Sequence, residues 1–262
     1  MRSKYSIVFL VLFSFIFSAC QAAPTEASLP TNEPTKIPPS STPLPSDTPI
    51  PSETPLPTET PIPTNTPLPA GVLFRDDFEG VFQPGWEWEN EKPDHWKFSG
   101  DGWLQIDGER NSLLTDQVQN NLLWYPLPAG DFAIVAHIKA SPTMDFQQVT
   151  LYLYEDPSNY VAVNRGFCSF CVAGGGAFFM EYKTSGNVGA YNFVTDADDF
   201  YLKITSVGNN ISGYFALALD EWVRIGQFGN YFEFMKVGIG VSSVGAADEL
   251  VGLIDFFEIS LP

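Results

Sequence analysis

Residues 72–262 predict an all-β fold, a β-sandwich or a barrel. Three observations carry that prediction. Short runs alternate apolar and polar residues with period two. Breaks rich in glycine, asparagine and aspartate separate these runs. No stretch of a dozen residues shows the periodicity of an amphipathic helix. The aromatic content of 15% suits broad sheet faces, on which flat rings pack well.

The chain opens with an address. Arg2 and Lys4 precede an almost wholly apolar run from Ile7 to Phe17. Its length fits the h-region of a signal peptide and is short for a membrane span. Ser18-Ala19-Cys20 follows and resembles the lipobox of bacterial lipoproteins, in which the cysteine is acylated and becomes the mature N-terminus. Residues 1–20 are therefore expected to be a lipoprotein signal ending at a lipidated Cys20. An ordinary secretory signal or an uncleaved anchor is the alternative. Lipidation would place the protein on the extracellular face of the cell envelope, touching the membrane through its lipid only. Each buried methylene of the acyl chains would add about 0.8 kcal/mol.

Residues 21–71 read as a spacer. From Thr42 the chain runs TPLPSD, TPIPSE, TPLPTE, TPIPTN, TPLPAG, five copies of a six-residue unit. The unit is too short, and lacks the apolar face, to stack as a solenoid. Alternate prolines fix φ, remove backbone donors and favour polyproline II. At about 3.1 Å per residue such a segment reaches roughly 150 Å when extended.

From residue 72 the pattern changes. Trp103–Asp107, Phe132–Lys139, Val149–Tyr154, Tyr160–Asn164, Tyr201–Thr205 and Val237–Ser242 all fit period two. In the last of these, Val237, Ile239 and Val241 alternate with Gly238, Gly240 and Ser242. One face is bulky and the other bare, open to another backbone or a ligand.

Charge narrows the partners. The net charge is -18, and from residue 72 onward 10 basic residues face 26 acidic ones. Nucleic acid and anionic lipid both call for a basic surface, so neither is expected. Neutral ligands, or cations held by carboxylates, fit better. Two histidines offer no Ser-His-Asp set, and no glycine loop leads into a helix to hold a phosphate. His137 shares a strand face with Ala133 and Val135 and reads as a structural histidine.

A more specific series of residues runs through the domain. It comprises Trp86-x-Trp88, Trp96, Trp103-Leu104-Gln105-Ile106, Pro142 with Gln147-Gln148, and Tyr152-x-Tyr154 with Asn159-Tyr160. Trp222, Val237-Gly238-Ile239-Gly240 and Asp255-Phe256-Phe257-Glu258-Ile259 complete it. This order resembles the concanavalin A-like domain at the C-terminus of family 43 glycoside hydrolases, over about Leu73 to Leu261. The resemblance implies a two-sheet jelly-roll sandwich with one concave face. It also implies an accessory module, because in those hydrolases catalysis resides in a separate propeller. This sequence departs from the family pattern at Val149-Thr150, where a small Ala-Gly pair is usual, and at Glu89-Asn90, where a basic residue is usual.

On that fold, Tyr152 and Tyr154 would face the concave surface if Leu151 and Leu153 face between the sheets. Aromatic faces pack against the C–H face of a sugar ring while polar neighbours take its hydroxyls. Trp88, Asn164, Arg165 and Glu181 are the expected neighbours; filling of space under a loop is the competing role. Cys168 and Cys171 remain when Cys20 is acylated. Such a pair can be a disulfide, a redox couple or half a zinc site, and in an exported, histidine-poor domain a disulfide is favoured. Asp76-Asp77 are placed at the start of the first strand and Asp255 on the last. If those strands are neighbours, Asp77 and Asp255 could hold a structural calcium.

The expectation is a monomeric, non-catalytic module binding polysaccharide or oligosaccharide. A glycoside hydrolase or lyase using the same face is the alternative, and a structural or protein-interaction module the third reading.

Overall fold

The computed structural model describes residues 67–115, 117–246 and 248–262. The signal peptide, Cys20 and nearly all of the repeat segment lie outside the described residues. The strands are β1 Val72–Asp76, β2 Glu87–Glu89, β3 Trp96–Phe98, β4 Leu104–Gly108, β5 Leu122–Pro126, β6 Phe132–Lys139, β7 Gln147–Asp156 and β8 Asn159–Phe167. They continue as β9 Gly176–Thr184, β10 Asn187–Phe193, β11 Asp199–Val207, β12 Asn210–Ala216, β13 Val223–Gly229, β14 Lys236–Ser243 and β15 Leu250–Ser260. They form two antiparallel sheets, one ordered β13-β12-β11-β6-β15-β4-β3 with β1 also on β15, the other β10-β9-β8-β7-β14-β5-β2. The expected two-sheet sandwich is therefore the fold.

Alternation puts the core where it is. Val149, Leu151 and Leu153 of β7, Val161 and Val163 of β8, and Val237, Ile239 and Val241 of β14 all point between the sheets and are fully or almost fully buried. They meet Ile134, Ala136 and Ile138 of β6 and Leu202 and Ile204 of β11 from the facing sheet. Burying each large aliphatic side chain contributes roughly 1.5–3 kcal/mol. The first strand ends at Asp76 rather than starting there. Its carboxylate accepts from the Phe78 and Gln83 amides and from Trp86 Nε1, at 2.8–2.9 Å. This fastens the turn that inserts Phe78 into the core.

The last strand carries a bulge between Ile254 and Phe256. It breaks the alternation, so that Ile254 and Phe257 are both fully buried although three residues apart. Asp255 is thereby turned to His137 Nδ1 at 2.8 Å, while His137 Nε2 meets Asp199 at 2.7 Å. The imidazole thus ties β6 to β15 and β11, and it lies against the Tyr201 ring with centroids 4.3 Å apart. Desolvation works to raise Asp199, but His137 and Lys139 outweigh it and hold the carboxyl below its usual range.

Cys168 and Cys171 are joined in a disulfide that closes a tight loop of sequence separation 3. Asp145 holds the same loop independently, accepting from the Ser169 amide and hydroxyl. Loop-closure entropy for so short a ring is only about 2 kcal/mol. Replacing both cysteines by serine is expected to lower stability by no more than that. Urea unfolding measures it, and a loss near 5 kcal/mol would mean that the disulfide supports more than its own loop.

Candidate functional site

The outer face of the seven-stranded sheet carries Tyr152, Tyr154, Asn164 and Glu181, as expected from the alternation of β7, β8 and β9. The structure does not leave that face open. The covering segment, residues 110–115 and 117–121 with a short 3-10 turn at Leu113–Thr115, lies across its centre. Leu113 and Leu114 pack on Leu122, Trp124, Tyr152 and Ala162. Gln119, almost fully buried, ties the segment down. Its Oε1 accepts from the Leu113 amide at 3.1 Å and the Tyr152 hydroxyl at 3.0 Å, and its Nε2 donates to the Val241 carbonyl at 3.3 Å. Gln148 Nε2 adds a bond to Ser112 Oγ at 3.0 Å.

Tyr152 is therefore fully buried, and the desolvation this imposes raises its phenol well above the ordinary range. It fills space under a covering segment. The bare face of β14 is filled the same way. A Cβ on Gly238 would fall 2.2 Å from the Trp124 ring, and one on Gly240 would fall 2.5 Å from Gln119 Nε2. The glycines admit the protein's own side chains.

Two expected contact residues lie on the opposite face. Trp88 pairs with Leu123, points between the sheets and packs against Phe82 and Trp96 at centroid distances of 5.8 and 5.0 Å. Arg165 follows Val161 and Val163 on the inner face of β8 and is fully buried. Its Nε donates to the Ala197 carbonyl at 3.0 Å, and Nη2 pairs with the Asp196 carboxylate. Asp77 follows β1, which pairs with β15, the strand that carries Asp255. Asp77 pairs with Arg75 at 2.6 Å, and Asp255 with His137. Among the described residues no group of three or more His, Cys, Asp or Glu is arranged to hold a metal ion.

Two areas flank the covering segment. On one side Trp124 and Tyr154 lie 5.1 Å apart, with Lys236 Nζ at 4.3 and 4.8 Å from their ring centroids. Glu89 Oε2 accepts from both Trp124 Nε1 at 2.7 Å and Lys236 at 2.9 Å. Sequence reasoning passed over Trp124 and Lys236; Trp124 sits in the apolar run LLWYP, which reads as core.

On the other side is a cleft of about 210 Å³ lined by Leu114, Tyr160, Glu181, Tyr182 and residues 188–190 of β10. Glu181 stands beside it, and Asn164 Nδ2 donates to its Oε2 at 2.8 Å. Burial raises the Glu181 carboxyl, against the opposing pull of that hydrogen bond. A raised carboxyl keeps its proton longer when folded than when unfolded. The stability it contributes therefore falls as pH rises from the ordinary glutamate range through the raised value. Asn164 Oδ1, in a fully buried side chain, has no hydrogen-bond partner. The sequence placed Asn164 and Glu181 together, and the geometry does so.

No protein-family profile and no curated protein matches the chain. Solved structures do. The fold is similar to a GH43 protein from Bacillus licheniformis, with a TM-score of 0.64 and 16% identity over 72% of this chain and 39% of that one. It is similar to a xylan β-1,4-xylosidase from Bacillus halodurans, with a TM-score of 0.60 and 16% identity over 78% of this chain and 41% of that one. A protein of unknown function from Saccharomyces cerevisiae matches at a TM-score of 0.52 and 13% identity, over 68% of this chain and 97% of that one. This chain thus spans about two fifths of the two bacterial proteins. At these identities the likeness is one of fold.

Proposed function

We propose that the protein is a non-catalytic carbohydrate-binding module, carried on a proline-rich stalk from a lipid anchor at Cys20 on the cell's outer face. The observation that carries this reading is the cleft beside the Asn164–Glu181 pair. A carboxyl backed by a buried amide there meets an apolar wall, the combination that recognises a hydroxyl-rich ligand with a C–H face. The likeness of fold to carbohydrate-active proteins supports it. So does the acidic surface, which suits neutral glycans. The protein works as a monomer in this reading, and calcium is a condition to vary.

One observation favours a hydrolase instead: burial raises Glu181 as it raises the general acid of a glycosidase. Glycosidases use two carboxyl groups about 5 to 9 Å apart. Of the residues lining this cleft, Glu181 alone bears a carboxyl.

The test is binding of the purified protein to soluble polysaccharides and oligosaccharides, with and without calcium, with products analysed in the same samples. Saturable binding without product is expected, weakened at least tenfold in a folded Glu181→Leu variant. New reducing ends would make the protein an enzyme. Absence of binding throughout the panel would leave a structural or protein-interaction module.

A further inference from the structure

The cleft is part of a longer strip. Its floor is β9 with the edge strand β10 beside it, and the two pair without a register shift from Asn187↔Thr184 to Phe193↔Phe178. Phe178 and Met180 belong to the core, so Phe179, Glu181 and Lys183 take the outer face of β9. Opposite them in register stand Asn192, Ala190 and Val188 of β10, all exposed. Each of these three rungs sets a polar residue beside an apolar one: Lys183 with Val188, Glu181 with Ala190, and Asn192 with Phe179. Successive rungs lie about 6.8 Å apart, so the strip runs about 14 Å from the first to the third. Glu181, Val188 and Ala190 line the cleft, whereas Phe179 and Asn192 lie beyond it.

Across the strands the strip is narrow. On the β8 side Leu113 and Leu114 sit on Ala162, and the Gln119–Tyr152 and Gln148–Ser112 bonds pin their segment to the sheet. On the other side the sheet ends at β10. That leaves two strands, about 4.8 Å apart, between a wall and the solvent. Along the strands the exposed surface continues, through Asn187, Gly186 and Ser185 at one end and Asn192, Phe193 and Val194 at the other. A ligand of several units therefore makes most contact when it lies parallel to β9. The polar groups differ from rung to rung. Lys183, with its Nζ 6.0 Å from the Tyr160 ring centroid, supplies an ammonium, Glu181 a carboxyl and Asn192 an amide. A linear glycan repeats hydroxyls and C–H faces unit by unit, and polar and apolar groups set side by side along the strip answer both.

We infer that a linear glycan lies along β9 and β10, parallel to the strands, with different units on the three rungs. The inference rests on the carbohydrate reading above and gives that site a direction and a length. A single ring in the cleft cannot reach from the first rung to the third, so contact at Phe179 and Asn192 is the mark of this arrangement.

The experiment is calorimetric titration of the full chain with xylo-, cello- and galacturono-oligosaccharides, from monosaccharide to hexasaccharide. For the series that binds, affinity is expected to rise at least tenfold from the monosaccharide to the tetrasaccharide and then to level off. Affinity independent of length would overturn the strip while leaving the carbohydrate reading standing. Binding by none of the three series would overturn both. A folded Phe179→Ala/Asn192→Ala variant lacks the third rung and keeps Glu181. It is expected to lose at least tenfold in affinity for the hexasaccharide and to stay within twofold for the disaccharide. Equal effects on the two lengths would overturn a separate contact at that rung. Asn192→Ala alone alters only an exposed position of the edge strand, and is expected to weaken the hexasaccharide at least threefold; wild-type binding would count against the inference. Lys236 lies on the far side of the covering segment, over Trp124 and Tyr154. A folded Lys236→Ala variant is expected to bind the hexasaccharide as wild type does, and a tenfold loss there would mean that the glycan crosses the strands instead.

Discussion

Arg165→Met is expected to cost about 3 kcal/mol of stability, by the usual scale for breaking a buried charge-bearing network. The guanidinium is fully buried against Phe178, 5.9 Å from that ring centroid, yet its carboxylate partner Asp196 is largely exposed. The side chain therefore runs from the core to the surface. It fastens the connection between β10 and β11, where the chain leaves one sheet for the other. Burial lowers the Arg165 pKa, opposed by Asp196 and Asp198. Methionine fills much of the volume but leaves the Ala197 and Gly166 carbonyls without their donor. Lysine should cost nearly as much, because a point charge cannot serve acceptors spread around a planar fork. At about 2–4 °C per kcal/mol, the melting temperature should fall by roughly 6–12 °C. A loss under about 1 kcal/mol in urea unfolding would show that the connection is held by other contacts.

Arg165 also shows what the sequence can and cannot say. The alternation Val161, Val163, Arg165 places its side chain on the inner face. It was expected beside Tyr152 and Tyr154 on the other face, and the strand's period is the better guide. Where strands are long, period two gave both their existence and their faces; β6, β7, β8, β11 and β14 are examples. Trp88 lies on a strand of three residues, too short to show a period, and its face was not legible. Asp255 sits at a bulge, and a one-residue insertion reverses every later assignment on that strand. The motif residues Gln147 and Asn159, which carried the resemblance, are legible afterwards as turn-builders. Gln147 Oε1 accepts from the Thr143 and Met144 amides, and Asn159 bonds Asp156 and the Ser185 amide.

The covering segment was the least legible part. Residues 110–121 have no strand or helix period, and their hold on the sheet comes from side chains distant in sequence. Gln119 reaches Val241, a separation of 122 residues. The only local hint was Leu113-Leu114, two apolar residues in a polar loop. The glycines of β14 were a stronger hint, since a bare sheet face implies something seated on it. The sequence left open whether that occupant was ligand or protein.

Tyr152 is the residue on which that question turns, and its variants separate the two roles. Its ring is fully buried beside Trp124, with centroids 5.9 Å apart, and its hydroxyl donates to Gln119. Tyr152→Ala is expected to lose about 3–5 kcal/mol, the scale for emptying an aromatic site in a packed region. Tyr152→Phe removes only the hydroxyl. Gln119 Oε1 keeps the Leu113 amide as a donor, so no acceptor is left stranded, and the cost should be about 1 kcal/mol. Local effects follow the same logic. Amide hydrogen exchange across 110–121 should accelerate strongly in Tyr152→Ala and little in Tyr152→Phe, because packing holds the segment more than the single hydrogen bond does. A tyrosine presented to ligand would behave in the reverse way. Alanine would then cost under about 1 kcal/mol, exchange in the segment would stay unchanged, and the loss would appear in sugar binding alone.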